Sequence, residues 1–244
     1  MFDQSTSFET KINPTPRDMH LVDMPKAEAA SPRIEPRWPV LLTIIVEAFL
    51  LGALPGRVKT LPVWGMPVLL GVTILPMAAL AVSAKKSRWL RIENIVLLIF
   101  LFFSACVLLD SLGFLLSAML RPEASVSGIQ LLESSIAAWT GNMLICSLVY
   151  WRVDRGGPES RSNDRSPMPD WLFPQEGAVE HVPPNWRPTY VDYLFLAFCT
   201  STAFSPTDVL PLTSRAKLMM MVESTISLVT IIAIAARAIN ILNT

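Results

Sequence analysis

Charge is scarce in this chain. Asp, Glu, Lys and Arg make up 16% of its 244 residues, against about a quarter in soluble domains. The basic and acidic residues cancel to a formal net charge of zero, which excludes a general attraction to nucleic acid. Histidine is nearly missing. His20 and His181 fall in no metal or triad pattern and read as solvated surface residues. Cys106, Cys146 and Cys199 lack metal-ligand spacing and obvious disulfide partners, so they read as small hydrophobes inside apolar blocks. Gly156-Gly157 follows a helix end, where glycine stops helices, and is not a phosphate loop. No enzyme chemistry, no metal and no cofactor are expected. An early apolar core is also lacking, so no secretory signal peptide is expected. Pro14, Pro16, Pro25, Pro32 and Pro36 among mixed charges make residues 1–38 read as a disordered arm.

What the chain has instead is apolar residue in blocks: 52% hydrophobic overall, with a mean hydropathy of +0.45. Four blocks, 40–54, 61–84, 95–120 and 128–151, precede a C-terminal apolar helix. A helix needs about 20 residues to cross roughly 30 Å of hydrocarbon, which the first block meets only marginally. Trp38, Trp64, Trp89 and Trp151 stand at block ends, where indole rings anchor at an interface. The fold class expected is all-α: a polytopic membrane bundle of about five spanning helices plus a short re-entrant, or sixth, helix. The basic residues of the arm, of the 84–91 loop and of segment 152–188 far outnumber Arg57, Lys59 and Arg121 in the alternate loops. The positive-inside rule then places the N-terminus and the loop 152–188 in the cytoplasm and the protein in a bacterial inner membrane. Segment 152–188 reads either as a flexible connector or, through Trp171, Phe173 and Trp186, as a docked one.

The chain divides accordingly into the arm 1–38, a four-helix membrane part 39–151, the Pro/Arg-rich loop 152–188, and the C-terminal part 189–244. The last is the most informative. The run from Tyr193 to Phe198 is too short to cross a bilayer. A hydroxyl-rich turn with Thr200, Ser201, Thr202, Ser205, Thr207 and Asp208 follows, then a long apolar helix. Half-helix, polar loop and full helix is a pattern that brings irregular backbone to membrane depth to line a cavity. Those hydroxyls read either as the lining of a polar passage or ion path, or as caps turning the chain between two helices. The short helix either re-enters, leaving the C-terminus outside, or crosses and leaves it inside; its length favours re-entry.

Charges inside the blocks are Glu47, Asp110, Glu133, Glu223 and Arg237. Each costs at least about 2.5–3.5 kcal/mol at the centre of a span and so needs a partner or a wet cavity. At 100° per residue, Glu223, Ser227, Thr230 and Arg237 share a face. So do Glu133, Thr140 and Ser147, and so do Cys106, Asp110 and Ser117. Three such stripes predict a bundle with a polar interior, used as an ion or proton path or as interhelical hydrogen bonds. Arg237 requires an acid among Glu47, Asp110 and Glu133.

Phe198-Cys199-Thr200-Ser201-Thr202, then Asp208, Pro211, Thr213, Lys217 and Glu223, resemble the pore module of potassium channels in type and spacing. That module has a pore helix, a Thr-rich filter, an Asp, Pro-x-Thr, a basic residue and a Glu at the head of the inner helix. Ser205-Pro206-Thr207 replaces the family's Gly-Tyr-Gly. Pro206 fixes its own φ and restricts Ser205, so a carbonyl filter of that form is not expected. A second resemblance runs from about residue 128 to the end. It is carried by residues 150–158, by Trp171-Leu172-Phe173-Pro174, by Asp192-Tyr193-Leu194-Phe195, by residues 202–208 and by Ala235-Ala236-Arg237-Ala238-Ile239-Asn240, and it points to uncharacterised bacterial multi-span inner-membrane proteins. The resemblances imply a membrane location and, for a potassium-channel-like pore, a homo-oligomer of four copies. The expected function is channel-like or transporter-like. The alternative is a non-conducting scaffold or sensor whose arm and Arg-rich loop contact a cytoplasmic partner or anionic lipid headgroups. The partner expected in either case is the lipid bilayer, not nucleic acid.

Overall fold

A computed structural model of the chain describes residues 35–53, 65–82, 86–120, 128–162, 167–178, 180–184, 186–202 and 209–242. Contacts divide the chain after Arg33, and the fold is that of Ile34–Thr244. The arm up to residue 34 lies outside the described residues.

The described chain is mostly helical. Four long helices come first: α1 (Trp38–Ala53), α2 (Gly65–Val82), α3 (Lys86–Leu120) and α4 (Gly128–Val153). A turn of 3-10 helix and the short α5 (Pro158–Ser162) follow, then strand β1 (Trp171–Leu172), α6 (Pro174–Gly177), α7 (Tyr190–Thr202), strand β2 (Leu210–Pro211) and α8 (Ser214–Leu242). α3 starts nine residues before the apolar block at 95, so Lys86, Arg88 and Arg91 belong to its first turns and not to a loop. Basic side chains there extend a helix that only becomes apolar further along.

Among the described residues two helical stretches are long and apolar enough to cross a membrane: Trp89–Ser117, with a mean hydropathy of 2.7, and Ser214–Ala236, with 2.0. Only 28% and 22% of these windows are buried inside the chain. The apolar side chains therefore point outward, as Phe102, Leu109, Leu228 and Ile232 do. A core helix of a water-soluble protein would bury them, and exposed apolar faces of this extent mark an interaction surface. The fold indicates membrane association.

The helices meet along seams spaced four and three residues apart. α1 buries Val40, Ile44, Glu47 and Leu51; α3 buries Leu97, Leu101, Ser104, Leu108 and Leu115. This is the a/d spacing of knobs-into-holes packing. α4 is the hub, packed against α1, α3, α7 and α8, and it carries the buried Leu131, Ala138, Ile145, Leu148 and Trp151.

Described residues of segment 152–188 dock on the helices. Trp171 and Phe173 are buried at 0% and 2% exposure. The Trp171 ring lies 4.9 Å from that of Tyr150, and its indole N–H points to the Met220 sulfur at 3.3 Å. β1 and β2 pair antiparallel, Trp171 opposite Pro211 and Leu172 opposite Leu210. Gly156 and Gly157, at φ 74° and 97°, make the turn out of α4. A Cβ at Gly157 would strike the Arg152 guanidinium and stand 3.0 Å from the Arg152 carbonyl oxygen. Gly157→Ala is therefore expected to destabilise the folded chain by about 1–3 kcal/mol, read as a lower midpoint of thermal unfolding in detergent. An unchanged midpoint would contradict the docked turn.

Candidate functional site

The site is built around the end of a helix that stops inside the bundle. α7 has 13 residues, which at 1.5 Å each give about 20 Å. Its start is well capped. The Thr189 hydroxyl and backbone N–H both donate to the Asp192 carboxylate, at 2.8 and 2.7 Å, a capping-box arrangement. Glu35 lies at the same helix N-terminus, accepting from the Tyr190 N–H at 2.7 Å and from the Trp151 indole at 2.9 Å. An anion is stabilised there. The Tyr190 hydroxyl then ties α7 to α1 and α4, 2.8 Å from both Thr43 and Ser147.

The start of α8 is held at the same end of the bundle. Thr213 caps it, accepting from the Ala216 N–H at 3.2 Å while its own hydroxyl donates to Asp170 at 2.6 Å. Arg215 donates to both oxygens of Asp170, through Nε at 2.6 Å and through Nη2. The Asp170 carbonyl accepts from the Leu212 N–H at 2.8 Å. Asp170 is joined to the end of α4 as well, since its N–H donates to Asp154 Oδ1 at 2.7 Å. The second Asp154 oxygen accepts from the Tyr193 hydroxyl of α7 at 2.5 Å. Both flanks of the segment 190–213 are thus fixed to one base. The chain goes in as α7 and comes back before α8 begins.

At the tip of α7 the polar groups converge on Glu223, which is fully buried. Its two oxygens accept from the Ser201 hydroxyl at 2.7 Å and from the Tyr150 hydroxyl. The Asn142 amide donates to the Glu223 carbonyl at 3.1 Å and to the Ser227 hydroxyl at 2.9 Å. The last carbonyls of α7 have no backbone N–H partner within the helix. Trp139 donates its indole N–H to the Ser201 carbonyl at 3.3 Å, and Ser224 its hydroxyl to the Thr200 carbonyl at 3.4 Å.

Of the residues singled out in the sequence, Ser201 and Glu223 come together here. The Thr200 and Thr202 hydroxyls bond carbonyls of their own helix instead, at Leu196 and at Phe198 and Cys199. Ser205, Thr207 and Asp208 lie outside the described residues. Glu47 is buried on α1 beside Gly141 of α4. Asp110 and Glu133 are not in the interior; both lie on exposed faces. The stripe Cys106, Asp110, Ser117 is an outer face of α3, and the buried polar residues described on that helix are Glu93 and Ser104. On α4 Ser147 is buried while Glu133 is exposed. Arg237 lies on α8, its side chain outside the described residues, so its acid partner is not defined. Trp151, expected at an interface, is a core residue at 1% exposure. Cys106 is exposed while Cys199 is buried. Sequence reasoning passed over Asn142, Tyr150, Asp154 and Asp170. Among the described residues no cluster of His, Cys, Asp and Glu fits a metal ion.

Burial works against the Asp170 carboxylate, but hydrogen bonds from Arg215 and Thr213 and the Arg215 charge outweigh it. They hold Asp170 below the ordinary carboxylate range. A carboxyl depressed in the folded state stabilises fully above its unfolded value and stops doing so as pH falls through its folded value. The base is therefore expected to stay closed at pH about 4, where a free Asp titrates, and to open only below it. Trp171 fluorescence follows the step. Asp170→Asn is expected to loosen Trp171 already at neutral pH and to abolish the acid step; an identical acid profile in Asp170→Asn would refute the assignment.

No protein-family model matches the chain, and neither a curated protein nor a solved structure is significantly similar to it.

Proposed function

We propose that the chain is a multi-span protein of a bacterial inner membrane, N-terminus in the cytoplasm, with a channel-like or transporter-like polar passage at the α7–α8 hairpin. One observation carries the reading: α7 stops against Glu223 while both of its flanks are tied to the same base. Irregular backbone is tolerated at membrane depth only where protein or a water-filled cavity covers it. The C-terminal, negative end of α7 and the Glu223 carboxyl point at the same place, which favours a cation. In this conformation Tyr150 and Ser201 fill the carboxyl, which corresponds to a closed passage. Opening exchanges those donors for the permeating ion. The outward Asp110 and Glu133 support a homo-oligomer, because charges on apolar faces require partners. The likeness of the C-terminal part to the potassium-channel pore module and to uncharacterised bacterial membrane proteins is consistent with this reading.

A second reading has its own observation. Thr200 and Thr202 turn their hydroxyls onto their own helix, and Ser201 gives its hydroxyl to Glu223. Hydroxyls used in this way favour a non-conducting scaffold or sensor that keeps a pore-type hairpin and meets anionic headgroups through its basic base.

Two measurements test these readings. With a re-entrant α7, cysteines placed at Glu180 and Lys217 are expected to react with an impermeant thiol reagent from the cytoplasmic side, and a C-terminal reporter to lie outside. Opposite sides for positions 180 and 217 would exclude re-entry. In proteoliposomes, monovalent-cation flux is expected to fall about tenfold or more in Glu223→Gln, the equivalent of one lost charge-assisted contact, and to persist in Thr202→Val. Absence of flux for every common cation would sink the passage and leave the scaffold reading.

A further inference from the structure

Glu47 is the one carboxyl among the described residues that is fully buried with both oxygens lacking a hydrogen-bond partner. It occupies a seam position of α1 and faces Gly141 on α4. A Cβ built on that glycine would stand 3.4 Å from Oε1 and 3.5 Å from Oε2. The missing side chain at 141 is therefore the space the carboxyl fills. One residue further on, about 100° round the helix, Asn142 reaches the backbone carbonyl of Glu223 and the Ser227 hydroxyl. α4 thus separates two buried acids at one level of the bundle. Glu223 is supplied with hydroxyl donors; Glu47 has none.

Among the described residues the surroundings offer Glu47 no counter-ion. The titratable groups near enough to interact with it are Cys146 on α4 and Tyr190 on α7, neither of them cationic. α2 contains no titratable residue at 65–82. On α3, Asp110 and Cys106 lie on the exposed face, and Glu93 is paired with Arg37 at 3.6 Å. Asp192 of α7 is bonded to Thr189 at the base. An ionised carboxylate in an apolar interior without donor or cation is far costlier than the neutral acid. We propose that Glu47 is a proton-binding site: it carries a proton while α1 is packed on α4, and exchanges it only when that contact opens to water. The site lies on a different face of α4 from Glu223 and stands whether or not the hairpin conducts.

Infrared spectroscopy of the full chain in lipid vesicles at neutral pH tests it. In a Glu223→Gln background, which removes the other buried acid of the bundle, the chain is expected to show a protonated-carboxyl carbonyl band that adding Glu47→Gln removes. In deuterium oxide that band is expected to shift slowly. Absence of the band in Glu223→Gln, its persistence in the double variant Glu47→Gln/Glu223→Gln, or immediate exchange would each overturn the proposal. The amide of Glu47→Gln matches the protonated acid in size and charge. A Glu47→Gln chain that fails to fold while Glu47→Asp folds would overturn it as well, because the ionised form would then be the one required.

Discussion

A helix that ends inside a bundle needs donors from outside itself for its last carbonyls. The rest of this structure is arranged around that constraint. α7 stops at Thr202, and side chains of two neighbouring helices supply the donors: Trp139 from α4 and Ser224 from α8. Ser201 sends its hydroxyl the other way, to Glu223. Every one of these bonds requires α4 and α8 to lie on either side of the α7 tip, so the packing of α4 as hub and the polar residues of its seam have one cause. An unpaired polar group in a hydrocarbon core costs several kcal/mol, whereas each interhelical hydrogen bond gained is worth roughly 0.6 kcal/mol on average. The arrangement is thus imposed more by what must not be left unpaired than by what each bond contributes.

α4 also keeps two carboxyls apart, and it does so with neighbouring residues of opposite character. Gly141 offers no side chain and makes room for Glu47; Asn142 offers two N–H donors and engages Glu223 and Ser227. Asn142 bonds the backbone carbonyl of Glu223, whose carboxyl takes its donors from Tyr150 and Ser201. Glu47 is given room at Gly141 and no donor.

How much of this was legible in the sequence depended on whether the signal was local. The half-helix, its hydroxyl-rich turn and the buried face of α8 with Glu223, Ser227 and Thr230 follow from short-range pattern. Glu47 stood out because a charge in an apolar block is conspicuous. On α4 the stripe Glu133, Thr140, Ser147 begins exposed and ends buried, because a straight helix drifts about 20° for every seven residues. A stripe phased on its charged member was therefore out of register with the packed face, and Asn142, which carries no charge, went unnoticed. Asp170 was beyond reach for another reason. Its partner Arg215 lies 45 residues away, and β1 and β2 have two residues each, too few to show any alternation. Trp151 looks the same in sequence whether it anchors at an interface or fills a core. What decides is Glu35, ahead of the first helix, which accepts its indole N–H.

The two ends of the hairpin are held by bonds of different kinds. At the base, Asp170 with Arg215 and Glu35 with Arg161, the latter at 3.3 Å, are charge-assisted contacts, roughly twice as strong as neutral ones. Tyr193, bonded to Asp154, also lies 5.0 Å under the Arg161 guanidinium, so the clamps share members and reinforce one another. At the tip the bonds to the α7 carbonyls come from an indole and a hydroxyl at 3.3 and 3.4 Å, near the limit of useful length. The tip has a shorter contact as well, from Ser201 to one oxygen of Glu223 at 2.7 Å, while Tyr150 holds the other oxygen. The Tyr150 ring lies 4.9 Å from that of Trp171 in the base. Glu223 thus links the tip of α7, through Ser201, to the base, through Tyr150.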